Sequence, residues 1–239
     1  MEIDLMQSSF IKHLNNLSRK IINDTFNEKQ PFEQSRPYRA DEDYVVSVLL
    51  AASEIITLCI QIDQATFYLK YFRNTPQLKK AGINRYKHIL YNLENHLIRT
   101  QSLFDRLLVL VNNTYRIGNP PKNCREHVIL SNTYLQGTKV LKLLNELNKI
   151  MNATRGERNR IIHHKSYNDE ELRRLELYYL LGEETDLKLD AGWVVKNYLL
   201  IKTKELKKFN DYLFGMVLNI FSELEIVFKK TYPFLAQSL

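Results

Sequence analysis

With 239 residues the chain is long enough to bury a substantial core. Its hydrophobic share of 44% and charged share of 26% are those of a globular protein and exclude a disordered one. A net charge of +7 favours acidic partners such as RNA, DNA or an anionic membrane surface, although plain solubility would explain it equally well.

Seven Gly and six Pro are too few for an all-β protein, which needs a turn every ~8–12 residues, so long helices are expected. The opening stretch MEIDLMQSSFIKHLNN has acids where a signal peptide needs a basic segment, and no long apolar run follows it. A cytoplasmic protein without a membrane partner is the expectation. The first helical stripe is Phe10, Leu14, Leu17 and Ile21. PFEQSRPYRA, residues 31–40, then reads as a connection.

A long helix is predicted from Asp41 to Phe72, with acids at its start to suit the helix dipole. Its run from Val45 to Ile62 approaches spanning length but contains Ser47, Ser53, Glu54, Thr57 and Gln61, as the central helix of a soluble bundle would. NTPQLKKAG, residues 74–82, breaks it. From Asn84 to Tyr115 the spacing of Leu90, Leu93, Leu97, Phe104, Leu107, Leu108 and Val111 predicts another helix. IGNPPKN, 117–123, stops it, and Val140, Leu144, Leu147 and Met151 mark the next.

Thr154 and Glu157 have capping-box spacing, which predicts a new helix or a redirected turn from Arg155. Asn168 and Glu171 repeat that spacing and predict a helix running to Leu181. Residues 182–192 are irregular, with room for a short extended piece, and a last helix or helix pair spans Trp193 to Tyr232. The expected fold is all-α: an antiparallel bundle of four to six long helices in one domain over 1–239. Residues 1–40 form its N-terminal helix and linker, and 41–232 its core.

Several chemistries drop out. No Glu is followed three residues later by His, so a di-iron bundle site is absent. H-E-x-x-H, G-x-S-x-G and Walker loops do not occur. Two cysteines make neither a disulfide framework nor a zinc site; Cys59 reads as a buried hydrophobe, and Cys124 near His127 as an exposed but poorly supported nucleophile. No metal and no cofactor is expected.

What remains is TRGERNRIIHHKSY, residues 154–167. An arginine is always charged and its planar fork suits phosphate oxygens. A histidine exchanges protons near neutral pH. Together they suffice to cleave RNA without metal: histidine assists proton transfer as the 2′-OH attacks phosphorus, and arginine stabilises the charge on the phosphoryl oxygens. On one helix Arg158 and His163 sit roughly 140° apart, whereas Asn159 and His163, four residues apart, share a face, which places Asn159 to orient the ring. An Arg followed four to six residues later by His arises by chance about once in such a chain. The structural alternative is a solvated basic helix end whose His interact with the C-terminal dipole.

RNRIIHH, residues 158–164, resembles the signature of the HEPN superfamily, in which Arg, usually a polar residue, and then His recur in helical-bundle domains of bacterial toxins, phage-defence proteins and RNA-guided CRISPR ribonucleases. RTQSLFDRLLVLVN, 99–112, resembles the earlier core helix of some stand-alone bacterial members, and the likeness extends loosely over 40–232. The resemblance implies a metal-independent endoribonuclease, often a homodimer that brings two motifs together, acting as a toxin or phage-defence effector. It implies Arg158 and His163 as the catalytic pair, Asn159 as the polar residue after Arg, and His164 as an alternative to His163 by the looser spacing. Any antitoxin or regulatory partner would be a separate chain. A catalytically silent module binding RNA, a nucleotide or a protein partner is the alternative.

Around the motif Arg155, Arg160 and Lys165 are candidate RNA contacts, and Tyr167 is a candidate stacking ring. Arg116, Lys122, Arg125 and His127, and separately Lys196, Lys202, Lys204, Lys207 and Lys208, would extend a phosphate-tracking groove if folding brought them alongside.

Overall fold

The structure, a computed structural model, describes residues 4–27, 30–163, 166–167, 170–181 and 191–237. It is all-α, with eight α-helices among the described residues: α1 (Ser9–Thr25), α2 (Ala40–Tyr68), α3 (Pro76–Lys80), α4 (Arg85–Thr114), α5 (Glu126–Leu130), α6 (Lys139–His163), α7 (Glu170–Leu181) and α8 (Ala191–Gln237). A short antiparallel pair, β1 (Phe26–Asn27) and β2 (Gln30–Gln34), occupies part of the expected connection, with Phe26 opposite Gln34. The last helix is a single one of 47 residues.

Local chemistry sets most helix ends. Ser8 caps α1, its hydroxyl accepting from the Ile11 amide, and the face of Phe10, Ile11, Leu14 and Ile21 is buried. At the start of α2 the Glu42 carboxylate takes both Nη atoms of Arg36, at 2.7 and 2.8 Å, and the Arg39 amide at 2.9 Å. The Arg36 hydrogen bonds hold that carboxyl down at about 2. The α2 helix ends at Tyr68, four residues before the predicted limit, and Arg85 Nη2 on α4 donates to the Leu69 and Lys70 carbonyls just beyond it at 2.9 and 3.1 Å. The helix predicted to begin at Arg155 does not exist as a separate element. α6 is continuous through Thr154 and Glu157, and a mid-helix position has no free amides for a capping box to satisfy.

Two compact units result. The first comprises Met1–Leu58, Ser102–Ile150 and Leu213–Leu239, and the second Cys59–Gln101 and Met151–Tyr212. In the first, Phe228 is the centre of an aromatic core. Phe10 meets it edge-on at 6.0 Å, Tyr44 stacks on it at 5.3 Å, and Tyr232 stacks at 5.9 Å. The Tyr44 hydroxyl donates to the Thr114 carbonyl at 2.8 Å, and burial pushes its pKa up to about 12.

The second unit is built on Leu69, Ile89, Leu93, Leu172, Leu175 and Tyr198, to which α2, α4, α7 and α8 or their ends contribute. A buried polar thread runs through it. His96 Nε2 donates to Asn210 Oδ1 at 2.8 Å, Asn210 Nδ2 to Thr66 Oγ1 at 3.1 Å, and that hydroxyl to the Ile62 carbonyl at 3.4 Å. Burial lowers the His96 pKa; the Asn210 bond opposes that effect and the Lys202 charge adds to it.

The sign of the resulting pH dependence follows directly. The unfolded chain takes up a proton at this residue with a pKa of about 6.5, while the folded protein resists it. Stability is therefore full above about pH 6.5 and falls as the pH drops below it, earlier than any carboxylate contribution. Urea midpoints across a pH series should show this decline, and His96→Gln should flatten it. A midpoint independent of pH between about 7 and 5 would contradict the expectation.

Candidate functional site

The motif lies on the last three turns of α6, in the second unit. Among the contacts that bind this region to α4, Gln101 Nε2 donates to the Met151 carbonyl at 2.9 Å, and the Tyr167 amide donates to Glu94 Oε1 at 2.8 Å. Since Gln101 pairs with Met151 and the earlier Glu94 with the later Tyr167, the end of α6 lies toward the start of α4.

Arg158 is half-buried. Its Nη1 donates to Asn159 Oδ1 at 3.0 Å, and its Nε is buried with no hydrogen-bond partner among the described residues. An unsatisfied buried donor on a charged group costs about 1–3 kcal/mol or more. A guanidinium's planar fork is chemically suited to phosphate oxygens. Asn159 is exposed, and its carbonyl oxygen serves Arg158. That amide was expected to orient His163, whose side chain lies outside the described residues; among the described ones its oxygen holds the guanidinium.

His163 is the final residue of α6, five residues and about 7.5 Å of helix beyond Arg158. A helix C-terminus favours a positive charge on a side chain there. The side chains of His163 and Arg160 lie outside the described residues, as do His164 and Lys165 altogether. Of residues 182–192, where an extended piece was expected, 182–190 do so too, and Ala191 and Gly192 open α8 instead. Arg155 is half-buried on the turn before Arg158.

Tyr167 is half-buried against the apolar cluster of the second unit, with the Lys202 ammonium 5.7 Å from its ring centroid. Of the two outlying basic groups, the one around Lys202 therefore reaches the motif region through that residue. The group from Arg116 to His127 belongs to the first unit.

Cys124 is buried, not exposed as expected. Its Sγ donates to the Asn119 and Pro120 carbonyls at 3.8 and 3.7 Å, and burial pushes the thiol pKa up, away from nucleophilic use. The signal for that burial lies in Asn112, whose side chain ties down the loop at Asn119 through bonds of 3.0 Å in both directions. Cys59 is buried as expected, and burial raises its pKa as well. Among the described residues no three His, Cys, Asp or Glu side chains group as metal ligands.

The family model described as HEPN_Cthe2314-like HEPN matches residues 6–225, nearly the whole chain. The protein belongs to this HEPN family. No curated protein and no solved structure matches it. Within the HEPN domain only α2, among the described residues, has the length and mean hydropathy, 2.2, to cross a membrane, and 44% of its most apolar window is buried inside the protein. Val48, Ala52, Ile55, Cys59 and Ile62 of that helix have no exposed surface, as in a bundle's core helix.

Proposed function

We propose that this HEPN protein is a metal-independent endoribonuclease with Arg158 and His163 as its catalytic pair. The observation that carries the reading is the half-buried Arg158, whose Nε lacks a partner among the described residues and whose fork is steadied by Asn159, in a chain of the HEPN family. The ribose 2′-O forms a bond to phosphorus as the bond from phosphorus to the 5′-oxygen breaks. The 2′-OH proton leaves to a base, and the 5′-oxygen takes one up. His163, or His164 by the looser spacing, exchanges these protons, and Arg158 stabilises the extra negative charge on the phosphoryl oxygens. Arg155, Arg160 and Lys165 would hold flanking phosphates. Purified protein in excess chelator should cleave RNA to products ending in 2′,3′-cyclic phosphate; RNA bound but never cut would support the silent binding module instead.

One motif offers a single catalytic histidine, whereas acid and base roles ideally use two groups. The active form is therefore a homodimer whose 158–164 segments share a cleft, kept wet or filled by phosphate because like charges meet there. Light scattering at micromolar concentration should give a dimer. A monomer fully active on RNA would refute this arrangement. The cellular role that fits is a cytoplasmic toxin or phage-defence effector, restrained by a separate antitoxin or regulatory chain.

A further inference from the structure

Basic charge is unevenly spread along the chain. Residues 64–93 hold Lys70, Arg73, Lys79, Lys80, Arg85 and Lys87 and no Asp or Glu, so about an eighth of the sequence carries six of its seven net positive charges. This stretch covers the end of α2, all of α3 and the first turns of α4, within the second unit. Lys70, Arg73, Lys79 and Lys80 are exposed, and none of them forms an ion pair among the described residues.

The segment is folded back on itself. Arg85 holds the Leu69 and Lys70 carbonyls just after α2, as above, and lies over the Phe72 ring at 5.5 Å. His88 Nε2 meets the Tyr68 carbonyl at 2.8 Å, and Lys87 Nζ donates to the Gly82 carbonyl at 2.7 Å. Gly82 has φ +67°, a conformation open to glycine, and turns the chain from α3 toward α4.

Within this basic stretch three neighbouring aromatic rings are exposed. Phe67 is 55% exposed, Tyr68 49% and Tyr71 60%. Phe67 and Tyr71 stack with centroids 4.3 Å apart and planes 25° from parallel, and Tyr68 stands edge-on to Phe67. Rings that fix each other in this way lose little further freedom when a flat partner is added. Exposed rings among unpaired cations are what unstacked bases and their phosphates require. A lipid surface would use the cations but has no need of stacked ring faces, and a duplex keeps its bases inside.

We propose that the Phe67–Tyr71 ring pair, with Lys70, Arg73, Lys79 and Lys80, is a subsite for single-stranded RNA: bases stack on the rings and the four cations follow the backbone. The choice of RNA rests on the ribonuclease reading; the stacking and charge do not. The location suits a strand leading to the motif. Glu94, which holds the Tyr167 amide near the end of α6, is nine residues and about 13 Å of helix from Arg85.

The test uses the full chain and fluorescence anisotropy with labelled oligo-uridine, an RNA duplex of equal length, and vesicles of phosphatidylcholine with a minority of phosphatidylserine. The double variant Phe67→Ala/Tyr71→Ala should bind oligo-uridine at least about 10-fold more weakly, while Phe67→Tyr/Tyr71→Phe keeps affinity. Lys79→Glu/Lys80→Glu should weaken binding and reduce the dependence of log affinity on log salt by about 1.4, for two lost phosphate contacts. In cleavage assays the ring variant should raise KM without slowing turnover at saturating RNA. Unchanged oligo-uridine affinity and KM in both variants, with circular dichroism showing them folded, would overturn the subsite while leaving the ribonuclease reading intact. Preferential loss of vesicle or duplex binding would also overturn it. Loss of oligo-uridine binding in a protein that never cleaves RNA would uphold the subsite and sink the ribonuclease.

Discussion

Arg158→Ala and His163→Ala should each lower RNA cleavage by at least about 10²-fold, the scale expected for a charge-stabilising group and an acid–base group. Both proteins should stay folded. The Arg158 side chain carries an unsatisfied donor, so truncating it removes a burden on the fold as well as some packing. Arg158→Lys should rescue poorly, because an ammonium lacks the planar two-point contact. Asn159→Ala removes the oxygen that holds Nη1 and should cost less than loss of the guanidinium itself. His164→Ala separates the two histidines: a milder loss than that of His163→Ala assigns proton transfer to His163, and the reverse order assigns it to His164. Single-turnover cleavage rates, with circular dichroism as the check on folding, give all five values. If neither Arg158→Ala nor His163→Ala changes the rate, the catalytic assignment is wrong.

The largest effect on stability is expected at Phe228→Ala, about 3–5 kcal/mol. Phe228 has no exposed surface and contacts the rings of Phe10, His13, Tyr44 and Tyr232. Removing it leaves a cavity among side chains from α1, α2 and α8 that cannot all move inward, since Tyr44 is pinned by its hydrogen bond to the Thr114 carbonyl. Phe228→Leu keeps most of the volume and should cost much less. Denaturant midpoints measure both, and a loss below about 1 kcal/mol for the alanine variant would mean that the aromatic core is misplaced.

Helices whose apolar residues keep one period over many turns were legible in the sequence. The stripe from Leu90 to Val111 appears as α4, and the Asn168–Glu171 spacing announced α7. The misreadings arose where distant groups decide. Thr154 and Glu157 match a capping box, but residues before them already supply the carbonyls that their amides need, so α6 continues. The end of α2 is tied to Arg85, the first residue of α4 and beyond the whole of α3, which no local pattern reveals. The β1–β2 pair is likewise a backbone match between flanking segments, without an alternating apolar signature.

At the candidate site, Arg158 and Asn159 were singled out by their spacing to His163, but the bond between them was not legible, because adjacent residues on a helix usually point apart. Reading by local density also favoured residues 154–167, where arginines and histidines crowd. The basic stretch 64–93 is diluted by apolar residues and becomes visible only when charge is summed over a longer window.

Cleavage of an oligodeoxynucleotide containing a single ribonucleotide, by purified protein in excess chelator, tests the central claim most directly. The account predicts one cut, 3′ to the ribose, leaving a 2′,3′-cyclic phosphate on one product and a 5′-hydroxyl on the other, and no cut once that residue is 2′-O-methylated. Cleavage of the all-deoxy strand, products ending in 5′-phosphate, or activity that returns only when a divalent metal is restored would contradict it.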